Sequence, residues 1–411
     1  MNRMSLPTSS FAAHKSETKV LGPWQILLVA GARPNFVKLA PLYNELSRRN
    51  SIFDPIIMHT GQHYDRKMSD IFFEELDIPT PQINLGVGSG SHATQTAKIM
   101  IETERVLMER KPDLVVVFGD VNSTMAATIA ATKLGIPVAH VEAGLRSFDR
   151  NMPEEINRLV TDVLADLLLT PSSDADRNLL NEGIAPQKIV MVGNIMIDTL
   201  VKFASKADES KILDKLGVES KKFVLLTMHR PGNVDNSESV SALIEIIESL
   251  SKDYKIVFPA HPRTRRNLKE LGPRARRIVG GELKNLIITE PLGYLDFLKL
   301  QKESAVTLTD SGGVQEETTY LGTPCLTLRP NTERPITISH GTNHLLGLNP
   351  KSAIDHARRF MENTKFESRR PPMWDGKTSG RIADAMERFL SSRSIEKQSA
   401  PVRKNIRTAA M

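Results

Sequence analysis

Residues 111–158, KPDLVVVFGDVNSTMAATIAATKLGIPVAHVEAGLRSFDRNMPEEINR, decide the fold. The stretch contains two short apolar runs, residues 114–118 and 137–141, and each is followed by a polar turn. The first run does not alternate apolar with polar residues, which is typical of a strand covered on both faces in a parallel sheet, and the second is predicted to be a buried strand as well. A helix-compatible segment, residues 123–134, separates the two runs. The pattern therefore predicts a strand, helix, strand unit of an α/β fold.

Three carboxylates are predicted to meet at one edge of this sheet. Asp120 follows the first strand and Glu142 the second, and open α/β sheets bind ligands at the carboxyl ends of their strands. Pro153 fits the first turn of a helix, so Glu154 lies near its start. The apolar positions that give this helix its spacing are Ile156, Leu159, Val160, Val163 and Leu167. A structural interpretation stays open: Asp120 would cap a helix, and Glu154 would be favoured by the helix dipole.

The composition is that of an ordinary globular protein. Of the 411 residues, 40% are hydrophobic and 25% are charged, and the length is sufficient for two domains with a core each. The single cysteine, Cys325, excludes an intramolecular disulfide and a cysteine zinc cluster, which favours a reducing compartment. No apolar run approaches about 18 residues, and the first residues lack the apolar core of about 7 to 15 residues of a signal peptide. We therefore expect a cytoplasmic protein without a membrane segment.

The formal net charge of +6 raises the question of a nucleic-acid partner. Much of the excess lies in residues 263–277 and 393–407, while aromatic residues are few and no nucleic-acid module is present. We expect no nucleic acid, and an anionic small molecule is the predicted partner.

Two cations flank the first turn of the chain. Residues 25–30 are predicted to form a strand and residues 31–35 a turn, with Arg33 and Lys38 at the ligand edge. Two cations there could hold a diphosphate, although Lys38 could equally be a solvated helix residue.

No metal and no redox cofactor is predicted. His59 and His63 have helical spacing, but the β-rich run and Gly61 argue against the helix that a zinc site would need. The segment GVGSGS, residues 86–91, lacks the third glycine of the dinucleotide fingerprint, which disfavours NAD.

The second half repeats the pattern of strands that end in polar residues. Predicted strands at residues 223–227, 255–259 and 305–309 are followed by His229, His261 and Asp310 respectively. A lone histidine at a strand end is as often a hydrogen-bonded structural residue as a catalyst, so both interpretations stay open.

The segment DSGGVQEE, residues 310–317, is the strongest ligand signal of the second half. Its glycines would let the backbone N–H groups that open a helix approach an anion, and the helix dipole favours negative charge there. Ser311, Gly312 and Gly313 are thus predicted to cradle a diphosphate. Glu317 could accept hydrogen bonds from ribose hydroxyls, or it could be an ordinary helix acid.

Eight motifs, in this order, resemble the non-hydrolysing UDP-N-acetylglucosamine 2-epimerase family. They are GARP (31–34), TGQH (60–63), GD (119–120), HVEAGLR (140–146), PEE with NR (153–158), HR (229–230), DSGGVQEE (310–317) and TERP (332–335). The similarity spans residues 25–390. It implies an α/β fold of two Rossmann-like domains facing across a cleft, as in type B nucleotide-sugar glycosyltransferases.

The resemblance also implies a reaction and its residues. The family inverts C2 of the sugar without a cofactor, by eliminating UDP to give 2-acetamidoglucal and re-adding UDP after protonation on the other face. The catalytic residues implied are Asp120, Glu142, Glu154 and His229. The substrate contacts implied are Arg33, Lys38, Asn122, Arg146, Phe297 in the uracil pocket, Ser311, Gly312, Gly313 and Glu317. A secondary or effector site would involve Gln62, His63 and His261, and a homodimer is expected.

Alternatives remain on the same architecture. They are an epimerase of a UDP-2,3-diacetamido uronic acid, a hydrolysing relative, a glycosyltransferase and a non-catalytic nucleotide-sugar sensor. Gly232 stands where family members often carry Glu. The predicted domains are residues 24–198 and 199–378, followed by a helix at 379–393 that returns to the first domain, with tails at 1–23 and 394–411 and a passage between domains at 202–222.

Overall fold

The computed structural model describes residues 23–62, 73, 75–230, 233, 236–260, 264–266, 268, 273–362 and 369–399. The first of its two sheets has seven parallel strands in the order β3-β2-β1-β4-β5-β6-β7. These strands are β1 (Trp24–Ala30), β2 (Phe53–His59), β3 (Ile83–Asn84), β4 (Leu114–Phe118), β5 (Val138–Val141), β6 (Leu167–Thr170) and β7 (Ile189–Met191). The helices of this half are α1 (Arg33–Arg48), α2 (His92–Arg110), α3 (Asn122–Lys133), α4 (Pro153–Leu164), α5 (Ser173–Asn181) and α6 (Ile195–Asp208).

The second sheet has six parallel strands in the order β10-β9-β8-β11-β12-β13. They are β8 (Phe223–Thr227), β9 (Lys255–Pro259), β10 (Leu286–Thr289), β11 (Val306–Thr309), β12 (Cys325–Thr327) and β13 (Asn343–Leu345). The helices are α7 (Ile212–Leu216), α8 (Ser237–Leu250), α9 (Pro273–Val279), α10 (Tyr294–Glu303), α11 (Gly312–Leu321), α12 (Ile336–Ser339), α13 (Pro350–Glu362) and α14 (Thr378–Ser399).

The strand order reverses direction at one place in each sheet. The first sheet steps from β1 to β4 and the second from β8 to β11, so the polar residues after these strands lie at topological switch points. The prediction of an α/β protein with two Rossmann-like sheets is confirmed.

The last helix, α14, packs on the first half of the chain. Its Ile382, Met386 and Leu390 belong to the same buried apolar cluster as Leu39 and Leu42 of α1. The start of α14 is held by α6, because the carboxylate of Asp198 accepts the backbone N–H groups of residues 378 and 379 at 2.9 and 2.7 Å. The chain thus returns from the second sheet to the first.

The structure corrects the predicted course of α4. The sequence spacing placed Leu167 on the same helix as Ile156 and Val163, but the helix ends at Leu164 and Leu167 begins β6. A short apolar run buried on both faces has no period of its own, so it matched the end of the helical pattern. Ile156 and Val163 are 38% and 60% exposed, and polar side chains form the buried face of α4 instead.

Two segments predicted to be irregular are partly helical. The passage predicted at residues 202–222 contains the end of α6 and all of α7, and the predicted boundary at residue 198 falls inside α6. Phe203 and Ala207 give this polar segment a buried face, which is what stabilises the helix. Residues 394–399, predicted to belong to a tail, are helical, because α14 continues to Ser399. Residues 1–22 and 400–411 lie outside the described residues.

In the described part of the chain, no helix has both the length and the apolar character needed to cross a membrane.

Candidate active site

Asp120 follows β4 at the switch point of the first sheet, and Glu142 follows the adjacent strand β5. Phe118, the last residue of β4, is paired with Val141, the last residue of β5, so the two turns start side by side. Both turns need left-handed backbone: φ is +61° at Gly119 and +73° at Glu142. A positive φ is unfavourable for a glutamate, and such strain is typical of functional sites.

The Glu142 carboxylate lies between two buried cations. Lys38 of α1 contacts its Oε2, and Nη2 of Arg334 lies 2.6 Å from its Oε1. All three side chains are less than 10% exposed. A Cβ at Gly119 would lie 2.9 Å from Lys38 Nζ and 3.2 Å from Glu142 Oε2, so glycine is required for the ion pair to pack on the turn. Burial, and then the charge of Arg334, lower the pKa of Lys38 to about 8.

Arg334 joins the two halves of the molecule. It comes from the second half, after β12, and reaches Glu142 of the first half. It also contacts Glu333 at 2.5 Å and Glu316 of α11 at 2.8 Å. Burial raises the pKa of Glu333, but Arg334, Arg230 and Arg329 outweigh this effect and hold the pKa well below its usual value. The cleft between the sheets is thus crossed by a buried network of alternating charges.

Asp120 is held from α4. Its carboxylate accepts a hydrogen bond from Nη1 of Arg158 at 2.5 Å, and its backbone carbonyl accepts one from Nδ2 of Asn157 at 2.8 Å. Arg158 is 2% exposed and also contacts Glu155 at 2.6 Å, whereas the Asp120 side chain remains 28% exposed. The charged inner face of α4 therefore orients a carboxylate that solvent and small molecules can reach.

His229 stands on the opposite side of the cleft. Its side chain is 50% exposed, and its Nδ1 lies 3.2 Å from Asp310 Oδ1. Burial raises the pKa of Asp310, but the hydrogen bond and the charge of His229 lower it by more. The pKa is therefore below its usual value and the carboxylate stays ionised. The next residue, Arg230, lies 3.9 Å from the sulfur of Met152, just before α4. This contact brings the His229 loop against the start of α4, where Glu154 lies half-buried in the first turn.

The N-terminus of α11 faces the same cleft. No side chain of the described residues caps it, so the N–H groups of its first turn remain available as donors. A Cβ at Gly312 would lie 2.3 Å from Arg334 Nη1 and 3.0 Å from Glu333 Oε1. At Gly313 a Cβ would meet, among the side chains of the described residues, the end of Met196 at 3.3 Å. Gly312 is therefore the glycine that the Arg334 contact requires.

Glu317 lies one turn further along α11 and is 4% exposed. Its carboxylate accepts hydrogen bonds from the hydroxyl of Tyr294 at 3.1 Å and from Nε2 of Gln301 at 2.6 Å, and both donors belong to α10. Burial raises the pKa of Glu317 to about 7. Phe297, on the same helix α10, is half-buried and packs beside the apolar cluster that contains Leu300. The two residues predicted for the nucleoside thus sit on adjoining helices.

The described contacts of two further predicted substrate residues are with protein groups. Asn122 is buried, and its Nδ2 donates to Gln95 at 2.9 Å. Arg146 is 2% exposed and pairs with Asp162 at 2.7 Å and Glu182 at 2.6 Å, which are structural ion pairs. Their roles toward a substrate stay predictions.

The predicted effector residues are only partly within the described structure. Gln62 is 6% exposed and accepts the Ser123 backbone N–H at 3.1 Å and hydroxyl at 2.7 Å, so it fixes the start of α3. The side chain of Arg33 and residues His63, His261 and Gly232 lie outside the described part of the structure.

The site contains charged residues to which sequence reasoning assigned no role. Arg334 and Arg158 stand in the motifs TERP and NR, but no periodicity or spacing links them to carboxylates far away in the chain. The arrangement offers an oriented, accessible carboxylate, a second carboxylate clamped by cations, a histidine backed by an aspartate, and free N–H donors. Among the described residues, no group of three or more His, Cys, Asp or Glu side chains could hold a metal ion.

Two parallel Rossmann-like sheets facing across a charged cleft define a class, the GT-B-like α/β proteins. The family model described as UDP-N-acetylglucosamine 2-epimerase matches residues 44–387. The chain belongs to this family, which is a family of isomerases.

Solved structures and curated relatives agree with this assignment. The structure of the Methanocaldococcus jannaschii UDP-GlcNAc 2-epimerase in complex with UDP-GlcNAc and UDP is 44% identical, with a TM-score of 0.80, and the match covers 90% of this chain and 99% of that one. A UDP-N-acetylglucosamine 2-epimerase homolog from Methanococcus maripaludis is 44% identical over 88% of this chain and 99% of its own. The UDP-2,3-diacetamido-2,3-dideoxy-D-glucuronate 2-epimerase of Pseudomonas aeruginosa is 38% identical over 89% of this chain and 100% of its own.

Proposed function

We propose that the protein interconverts UDP-N-acetylglucosamine and UDP-N-acetylmannosamine. One observation carries the proposal: a single guanidinium, that of Arg334, touches both Glu142 and the position where Gly312 opens α11. A diphosphate on the α11 N–H groups would therefore lie close to the Glu142 carboxylate. An epimerisation that breaks the C1–O bond needs this proximity of leaving-group site and base.

The proposed reaction is an elimination followed by re-addition. A carboxylate, Asp120 or Glu142, removes the C2 proton while the C1–O bond breaks, giving 2-acetamidoglucal and UDP. A proton is then delivered to C2 from the other face as UDP adds back to C1. Asp120, Glu142 and Glu154 supply acid and base groups on the first half, and His229 lies beside the departing diphosphate from the second half. Lys38, Arg33 and the residues of the α11 N-terminus hold the diphosphate.

The test is incubation of the purified protein with UDP-N-acetylglucosamine, followed by chromatography of the nucleotide sugars. We expect UDP-N-acetylmannosamine in the presence of the substrate alone, and its formation should be slower by about 100-fold or more with an Asp120→Asn variant. Release of free N-acetylmannosamine and UDP would indicate a hydrolase, and a product that forms only with an added acceptor would indicate a glycosyltransferase. Faster turnover of a UDP-2,3-diacetamido uronic acid would move the substrate assignment to that sugar.

The proposal extends to setting and assembly. A cytoplasmic homodimer that supplies activated N-acetylmannosamine for cell-surface polysaccharide fits this reaction. Ile101 and Met108, which lie seven positions apart on one face of α2, are 64% and 58% exposed, so a partner copy that packed on this face would bury them. Light scattering should give twice the chain mass of 45.7 kDa. A mass equal to that of one chain would contradict the dimer.

A further inference from the structure

A histidine and an aspartate that take no part in the proposed chemistry lie beneath both carboxylate turns. His140 is on β5 and Asp162 is on α4, and both are 0% exposed. Nδ1 of His140 is 2.6 Å from Asp162 Oδ1, and its Nε2 is 2.8 Å from the carbonyl oxygen of Gly119. Gly119 directly precedes Asp120.

The two partners of this imidazole are both hydrogen-bond acceptors. A carbonyl oxygen carries no proton, and Asp162 already accepts from two other donors through Oδ2: the backbone N–H of Gly144 at 3.1 Å and Nη1 of Arg146 at 2.7 Å. A neutral imidazole has one N–H, so it can satisfy only one of two acceptors. When Asp162 is ionised, both contacts of His140 are hydrogen bonds only if both ring nitrogens carry a proton.

The alternative is that the shared proton belongs to Asp162. Oδ2 of Asp162 accepts hydrogen bonds from the guanidinium of Arg146 and the backbone N–H of Gly144, and both contacts favour the ionised carboxylate whatever the state of His140. The charge balance agrees with an ionised aspartate. His140 and Arg146 face Asp162 and Glu182, so the cluster is neutral only when His140 is a cation. Buried charges are stable when they are paired in this way.

We propose that His140 is a buried imidazolium which, together with Asp162, positions the two turns that carry Asp120 and Glu142. Through His140 the Asp162 carboxylate fixes the Gly119 carbonyl, and through its own Oδ2 it fixes the N–H of Gly144, two residues after Glu142. One carboxylate therefore sets the distance between two acid and base groups. His140 and Asp162 are positioning residues, and their kinetic effect rests on the proposed epimerase function.

The protonation state can be measured without any activity. In the full-length protein labelled with ¹⁵N-histidine, NMR at neutral pH should show protons on both nitrogens of the His140 imidazole. This signal should vanish in His140→Gln and persist in His340→Gln, which removes an exposed histidine of α12's C-terminal end. A single-tautomer, neutral spectrum for His140 would overturn the proposal, whatever the enzyme's activity.

The positioning role is measured by kinetics. His140→Gln keeps a donor but loses the charge and one of the two contacts, so kcat should fall by up to about 100-fold, as expected for a small misplacement of reacting groups. UDP affinity by calorimetry should stay as in the wild type, because the cradle residues of α11 do not contact His140. Equal losses of kcat and UDP affinity, or kcat as high as in His340→Gln, would overturn the positioning role. If no variant and no wild type is active, the proposed function fails, and the NMR result still decides the state of His140.

Discussion

At the scale of single residues, Asp120 and Glu142 differ in how the protein holds them. Asp120 has one cationic partner and is reachable, whereas Glu142 is clamped by Lys38 and Arg334. Asp120→Asn and Glu142→Gln should each lower kcat by about 100-fold or more, because each removes a proton-transfer group. UDP should still bind to both variants, as calorimetry can show.

A matched control for the carboxylate variants is Glu102→Gln, on the exposed face of α2. Its partner, Arg105, is exposed as well, so this pair contributes little. If both site variants keep the turnover of this control, the acid and base assignment is wrong.

Glu317 should give the stability of the protein a measurable pH dependence. Its pKa is about 7 in the folded state and 4.5 in the unfolded state, so between these values the folded state holds a proton that the unfolded state has lost. Stability should therefore fall as pH rises from about 4.5 to 7, by up to about 3 kcal/mol relative to a Glu317→Gln variant. Denaturant unfolding of both proteins across this range measures the difference. Parallel curves would show that the buried carboxyl has an ordinary pKa.

The sequence predicted the functional residues that directly follow a strand. It did not predict those whose role depends on an ion pair with a residue far away in the chain. Asp120 and Glu142 follow buried apolar runs, so their common sheet edge could be predicted from the sequence. The contact between Arg334 and Glu142 joins residues 192 positions apart in different halves, and no local pattern encodes it. The same holds for Arg158, which looks like an ordinary helix cation until the buried face of α4 is known.

At the scale of elements, α11 is the cradle whose glycines have unequal roles. Gly312→Ala would place its Cβ against Arg334 and Glu333, so it should displace Arg334 and weaken UDP binding by about 10-fold or more. Gly313→Ala meets only the flexible end of Met196 and should weaken binding less. Calorimetry with UDP distinguishes the two variants. Equal UDP affinities of the two variants would show that UDP binding does not depend on the packing of Arg334 against Gly312.

Element prediction was accurate for strands and less so for helices. The sequence boundaries of β4, β8 and β9 agree with the structure, because parallel strands buried on both faces are short apolar runs with polar ends. For α4 the apolar stripe does not mark the buried face. Its inner face binds Asp120 and His140 through charged side chains. The rule that the apolar face of a helix is the buried one therefore predicts the wrong face for α4.

At the scale of the whole molecule, Arg334 is a bridge that should hold the two sheets together across the cleft. An Arg334→Gln variant removes the buried pair with Glu142, so its cleft should open and its radius of gyration should rise in small-angle scattering without ligand. Saturating UDP should reverse part of this increase if the nucleotide also contacts both halves. Arg265→Gln, which breaks a surface pair with Glu290, is the control with the same change of charge. Identical radii for the two variants would contradict the bridge.

The central claim is that C2 loses and regains a proton while UDP is held in the cleft between the two halves. NMR of the products formed from UDP-N-acetylglucosamine in deuterated water tests it directly. The account predicts UDP-N-acetylmannosamine with deuterium at C2, recovered substrate that also gains deuterium at C2, and no free sugar. An epimeric product that keeps its original hydrogen at C2 would contradict the elimination, and so would deuterium at any other carbon instead.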